Sequence, residues 1–191
     1  MKKTVLLLFA ACVSLVTYAQ QKDLKEIGEL TFFGIDFSLA KVYGATETPH
    51  EFLVAFEGIN DLLRKEEKKY NPAKLFGKEN IVTVLSMAYD LINEINENDI
   101  KVDRNDYILT WGDIEQQVRS YNTGDETGYG AILIAGLLDK GKKQATYDIV
   151  VFNIETREII VDKKIIAKAG GLGLRNYWAA SVYKAMKKTI K

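Results

Sequence analysis

Three apolar runs follow one another near the end of the chain: Gly130 to Asp139, Ala145 to Ile154 and Glu158 to Ala167. Only Lys140-Gly141-Lys142-Lys143 and Glu155-Thr156-Arg157 lie between them. Connections that short leave no room for a crossover helix, so the runs read as hairpin neighbours, antiparallel to one another. Ala131-Ile132-Leu133-Ile134-Ala135 and Ile149-Val150-Val151-Phe152 are apolar at every position, the mark of interior strands covered on both faces.

The rest of the chain supplies helices around that sheet. Leu30 to Val42, rich in Phe, Ile and Val, reads as a first strand. Thr48-Pro49 is a helix start, with Thr48 as cap and Pro49 at the first position, where no N–H is needed. The stripe of Phe52, Phe56, Ile59, Leu62 and Leu63 carries that helix toward Tyr70, and Asn71-Pro72 stops it. Between Glu79 and Asn96 the apolar spacing favours a helix, at least from Leu85, although Ile81 to Leu85 would also serve as a strand. Asp99 to Thr110 reads as a link, and Asp113 with Gln116 as the start of a short helix ending near Tyr121. A last helix spans about Leu174 to Ile190, with Trp178, Val182, Ala185, Met186 and Ile190 as its buried stripe. The expected class is α+β: a largely antiparallel sheet of about four strands packed with helices, in one domain.

The first nineteen residues read as an export signal. Lys2 and Lys3 precede an uncharged apolar run from Thr4 to Val16, and Thr17-Tyr18-Ala19 offers small residues for cleavage before Gln20. Residues 20–191 then form the mature domain, placed in the periplasm or cell envelope. The run is too short to span a bilayer, which takes about 20 residues, and the mature chain is expected to have no membrane span. The single cysteine, Cys12, lies inside the signal. Phe9-Ala10-Ala11-Cys12 is similar to a lipoprotein box, with Phe where Leu is usual, so a lipid anchor at Cys12 is the lesser alternative to a free exported domain.

Composition excludes more than it assigns. Basic and acidic residues both number 26, which argues against nucleic acid as a partner. Loss of Lys2 and Lys3 leaves 24 basic against 26 acidic, a net of −2. A mature chain with one His and no Cys cannot assemble the usual four-ligand zinc site, and no metal or cofactor is expected. His50, in a helix's first turn beside Pro49 and Glu51, has no nucleophile at a telling spacing, so no catalytic residue is assigned.

Two places stand out as candidate contacts. Asp125 and Glu126 sit in the glycine-flanked loop Thr123-Gly124-Asp125-Glu126-Thr127-Gly128, a solvated turn or a carboxylate pair. Gly170, Gly171 and Gly173 precede a helix start with Arg175 in its first turn, a place for an anion or partner, or simply a tight connection from strand to helix. At least one of these glycines is expected to take positive φ.

Asp148-Ile-Val-Val-Phe-Asn-Ile-Glu-Thr-Arg-Glu-Ile-Ile-Val161 resembles the hairpin of bacterial envelope proteins related to the curli-secretion lipoprotein, the outer-membrane activators of peptidoglycan synthases and the amino-terminal domain of the Tol-system propeller protein. Arg157 stands where that hairpin has Gly. The resemblance implies a mixed sheet packed against helices, a final helix after the hairpin, and an envelope interaction domain in place of an enzyme. The expected function is a non-catalytic exported domain that binds an envelope protein or a cell-wall component. The alternatives are a periplasmic hydrolase working through paired carboxylates and a carrier of a small ligand.

Overall fold

The structure is a computed structural model that describes residues 24–190. The export signal, Cys12 and the expected cleavage after Ala19 lie outside those residues. In chain order the elements are β1 (Leu30–Asp36), β2 (Lys41–Tyr43), α1 (Pro49–Lys65), α2 (Pro72–Phe76), β3 (Ile81–Thr83), α3 (Ser86–Asn93), β4 (Lys101–Val102), α4 (Trp111–Ser120), β5 (Tyr129–Asp139), β6 (Gln144–Asn153), β7 (Ile159–Lys168) and α5 (Leu174–Met186).

The sheet corrects the expected fold class. Among the described residues it has seven strands, where about four were expected. Most of its pairings are parallel: β1 with β3, β1 with β5, β2 with β4 and β2 with β5. That half is α/β in character, and the α+β reading with a largely antiparallel sheet is wrong. Antiparallel pairing is confined to β5–β6 and β6–β7. The physical reason lies in β5, which is 11 residues long and uses both edges. One edge takes β6. The other takes β1 along Gly130–Ile134 and then β2 along Leu137–Asp139, so β1 and β2 continue one interrupted line. These partners lie far upstream and arrive through helices, so no turn residue announces them. Their trace in the sequence is the largely apolar run of Leu30 to Phe37, interrupted by Thr31, Gly34 and Asp36 and buried along its whole length, as expected of a strand covered on both faces.

The line is also irregular within β1. Gly34 takes φ +88°, and the β1–β5 register slips between Phe32 and Ile35. Asn60 of α1, fully buried, bridges the gap: its Oδ1 accepts from Ile35 N–H and its Nδ2 donates to Ile35 C=O, both at 2.9 Å. The carboxamide has a peptide's donor and acceptor, so it replaces a strand neighbour at that residue. A Cβ on Gly34 would lie 2.7 Å from Asn60 Oδ1 and 2.8 Å from Leu85 Cδ2, which leaves room only for glycine.

Two cores sandwich the sheet. On one face α1 and α5 bring Phe52, Phe56, Trp178 and Val182 against Phe32, Leu133, Tyr147 and Ile149. On the other, Leu109, Ile114, Val118 and Tyr121 cover Ile132, Ile134, Val150 and Phe152. Trp178 is fully buried, and Gly171 (φ +117°) and Gly173 (φ +78°) turn the chain into α5.

Several boundaries differ from expectation. The helix α1 ends at Lys65, short of Tyr70, and α5 at Met186, short of Ile190. Both readings of 79–96 are met in sequence: three residues of β3, then α3. The cap of α4 is Thr110, not Asp113. Asp113 sits at the third position, its carboxylate accepting from Thr110 N–H at 2.7 Å while Thr110 Oγ1 accepts from Asp113 N–H at 3.3 Å. That reciprocal pair satisfies two backbone donors at once.

Candidate functional site

The two sequence-predicted clusters lie at opposite ends of the meander. The Asp125–Glu126 loop adjoins the end where Tyr129 faces Asn153. The glycine turn follows the end where Asp139, Gln144 and Lys168 align. Eleven residues of β5 separate these ends, about 35 Å at the usual rise per residue. They do not form one site.

The first loop is tied down from several sides. Glu126 Oε2 accepts from Thr31 Oγ1 at 3.1 Å, and Gly128 N–H donates to Glu155 Oε1 at 2.9 Å. Arg157 donates to Tyr121 C=O at 2.9 Å, to Thr123 Oγ1 at 3.2 Å and to Ile154 C=O. Asp125 and Glu126 border a cleft of about 600 Å³ with Thr31, Asn80 and Val82. At the other end, Arg175 donates through Nε and Nη2 to its neighbour Asn176 Oδ1, at 3.1 and 3.0 Å. Its stem crosses Gly58 of α1, where an added Cβ would lie 2.8 Å from Arg175 Cδ. His50 is exposed, with Nδ1 3.3 Å from Glu97 Oε1. Among the described residues no group of three or more His, Cys, Asp or Glu is placed to hold a metal ion.

Sequence reasoning missed two buried carboxylates. Asp36, Ile134, Asp148 and Lys164 stand in one row across four strands, on the face that α4 covers. Asp36 accepts from Ser38 N–H at 2.7 Å, Gln117 Nε2 at 2.9 Å and Tyr121 Oη at 2.8 Å. Burial, with the Asp36 charge beside it, pushes the Tyr121 phenol well above its ordinary range, so it stays protonated as a donor. Asp148 has less. Its side chain is 2% exposed, Lys164 Nζ is 3.6 Å from Oδ1, and Oδ2 is buried without a partner. Burial pushes its carboxyl up to about 6, Lys164 pulling it down and Asp162 adding to the rise. The available signal was an acid inside an apolar run, as in Ile35-Asp36-Phe37 and Tyr147-Asp148-Ile149.

Beside Asp148 the meander presents an apolar surface. Lys164 Nζ donates to Leu109 C=O at 2.8 Å, drawing segment 103–110 to the edge strand. The Leu109 side chain lies over Gly136 beside Thr146, and Thr146 is the register partner of Ile166. Around that contact Ile108 is 69% exposed, Trp111 55% and Ile166 55%. Asp162, Lys163 and Lys164 are exposed charges along the same strand. β7 pairs only with β6 among the described residues, and leads past Ile166 into the glycine turn, whose Leu172 is 91% exposed.

No protein-family model matches the sequence, and no curated protein does. A likeness was found to the solved LpoB C-terminal domain from Salmonella enterica, at 16% identity and a TM-score of 0.32. It covers 74% of this chain and 82% of that one. Among the described residues no helix is long and apolar enough to cross a membrane.

Proposed function

We propose that this chain is an exported domain of the bacterial envelope that binds a protein partner along the edge of β7. The observation that carries the reading is the exposure of Ile108, Trp111 and Ile166 together beside an edge strand, with charges at the rim. An exposed apolar patch rimmed by polar groups is the ordinary form of a protein-binding surface, and Trp supplies much of the energy at such surfaces. An edge strand adds backbone donors and acceptors that an extended segment can pair with. The turn of Gly170, Gly171 and Gly173 follows β7 with Leu172 exposed, while Arg175 packs over Gly58 of α1.

A photo-cross-linking amino acid at position 111 tests this in the source cell. It should give one adduct of defined mass, recovered with the envelope fraction, that the same group at the exposed Val54 of α1 does not give. Ile166→Asp should abolish the adduct and leave the melting temperature unchanged. No adduct at 111, or the same adduct from 54, would overturn the reading. An adduct with glycan alone would transfer the surface to a cell-wall component.

A further inference from the structure

We propose that a lysine-lined cleft between α1, α2 and α5 binds a phosphate-bearing group. Residues 64–78 and 184–188 hold nine basic side chains and two acidic ones, seven net positive charges in a chain whose formal charge is zero. The remainder of the chain carries seven net negative charges, so the molecule is strongly polarised.

The fold brings the two basic segments together. Tyr70 and Tyr183 meet edge to face with centroids 5.9 Å apart, and Ile190 N–H donates to Leu75 C=O at 2.9 Å. Between the segments lies a cleft of about 600 Å³ lined by Lys68, Lys69, Lys74 and Lys187, with Asn71 and Tyr183. Among its lining residues there is no carboxylate. Lys187 Nζ lies 4.6 Å and Lys69 Nζ 5.8 Å from the centre of the Tyr183 ring, so two ammonium groups gather at one aromatic ring. The nearest acid is Glu66, paired with Lys69 at 2.8 Å.

Helix dipoles account for part of this charge and not for the cleft. Arg64, Lys65 and Lys184 stand in the last turns of their helices, where cations are favoured. Lys68, Lys69 and Lys187 follow the helix ends. Ammonium groups gathered on a concave surface repel one another, and the concavity concentrates their field on any anion that enters. A phosphate monoester offers a charge near −2 and three acceptor oxygens, enough to meet several ammonium groups at once. A single carboxylate offers one charge and two oxygens.

The test uses the mature chain and two probes at fixed ionic strength: inorganic pyrophosphate by calorimetry, and vesicles of phosphatidylcholine with or without phosphatidic acid, whose headgroup is a phosphate monoester, by co-sedimentation. Lys68→Gln/Lys74→Gln/Lys187→Gln should weaken binding about tenfold or more, because each lysine lost removes a charge-assisted contact. Lys101→Gln/Lys142→Gln/Lys163→Gln, with the same change of net charge elsewhere, should bind as the parent does. The single variant Lys74→Gln should move binding in the same direction should the triple fail to fold. Saturable pyrophosphate binding without vesicle binding assigns a soluble phosphate. Binding to the phosphatidic acid vesicles alone, lost in the cleft triple, assigns a lipid headgroup. No binding to either probe, or equal loss in both triples, overturns the proposal.

Discussion

The two edges of β5 are completed by different chemistry. On the parallel edge the neighbours β1 and β2 come from far away in sequence, and the irregular end of β1 is held by side chains of distant helices. Asn60 stands in for a strand at Ile35, and Gln117 and Tyr121 hold Asp36. On the antiparallel edge the neighbours are set by short turns. There the irregularity at Gly136 takes one hydroxyl, Thr146 Oγ1, which accepts from Leu137 N–H at 2.8 Å. Where the chain's own turns fix the register, the backbone does most of the work. Where they do not, buried polar side chains must fix it.

Removing the side chain on each edge is the strongest way to break this contrast. Asn60→Leu keeps the number and branching of the side-chain atoms but leaves both Ile35 N–H and C=O buried and unpaired. It should cost about 3–4 kcal/mol, two backbone groups at roughly 1–3 kcal/mol each. Thr146→Val leaves one N–H unpaired and should cost about 1–2 kcal/mol. Urea unfolding of both variants reads the difference. Equal costs would mean that the parallel edge needs no more help than the meander.

The same contrast explains what the sequence disclosed. Lys140 to Lys143 and Glu155 to Arg157 are local signals, so the meander was legible down to its interior positions. The burial of Trp178 was legible too, because helical spacing is also local. The parallel half depends on Leu30 to Ile35 meeting Gly130 to Leu133, a pairing that no nearby residue encodes. Gly34 and Asn60 are a matched pair in space with no mark of it in spacing. The acids beside Ile35 and Ile149 were visible as oddities, but their partners Gln117, Tyr121 and Lys164 were not. As for the candidate surface, Ile166 and Trp111 look like ordinary core residues in a periodic pattern. Only the absence of a covering element exposes them.

Asp148 sharpens the comparison through pH. The carboxyl of Asp148 holds its proton to about pH 6 in the folded chain, against 3.8 for an ordinary aspartate. Between those values the folded state binds more protons than the unfolded, so stability falls as pH rises through that window. Above it the ionised carboxylate is a standing cost. Asp148→Asn should therefore stabilise the protein at pH 7.5, by up to about 2 kcal/mol, and change little at pH 4. Thermal melts of parent and variant at both pH values test the sign. A variant less stable than the parent at pH 7.5 would show that Lys164 more than offsets the burial.

The smallest effect, and the finest test, lies at Arg157. It sits in the β6–β7 turn at φ +62°, a conformation that suits glycine. The left-handed backbone costs a residue with a Cβ roughly 1–2 kcal/mol. The guanidinium offsets that by bonding Tyr121 C=O, Thr123 Oγ1 and Ile154 C=O, which ties the turn to the loop before β5. Arg157→Gly removes the strain and the bonds together, so its net change should stay within about 1 kcal/mol. Arg157→Ala keeps the strain and loses the bonds, so it should be less stable than Arg157→Gly by about 1 kcal/mol. Both should cut faster than the parent under limited proteolysis in loop 123–128, because the clamp is gone in each. An alanine variant as stable as the glycine one would show that the backbone at 157 carries no strain. Unchanged proteolysis in both would show that loop 123–128 is held by Thr31 and Glu155 alone.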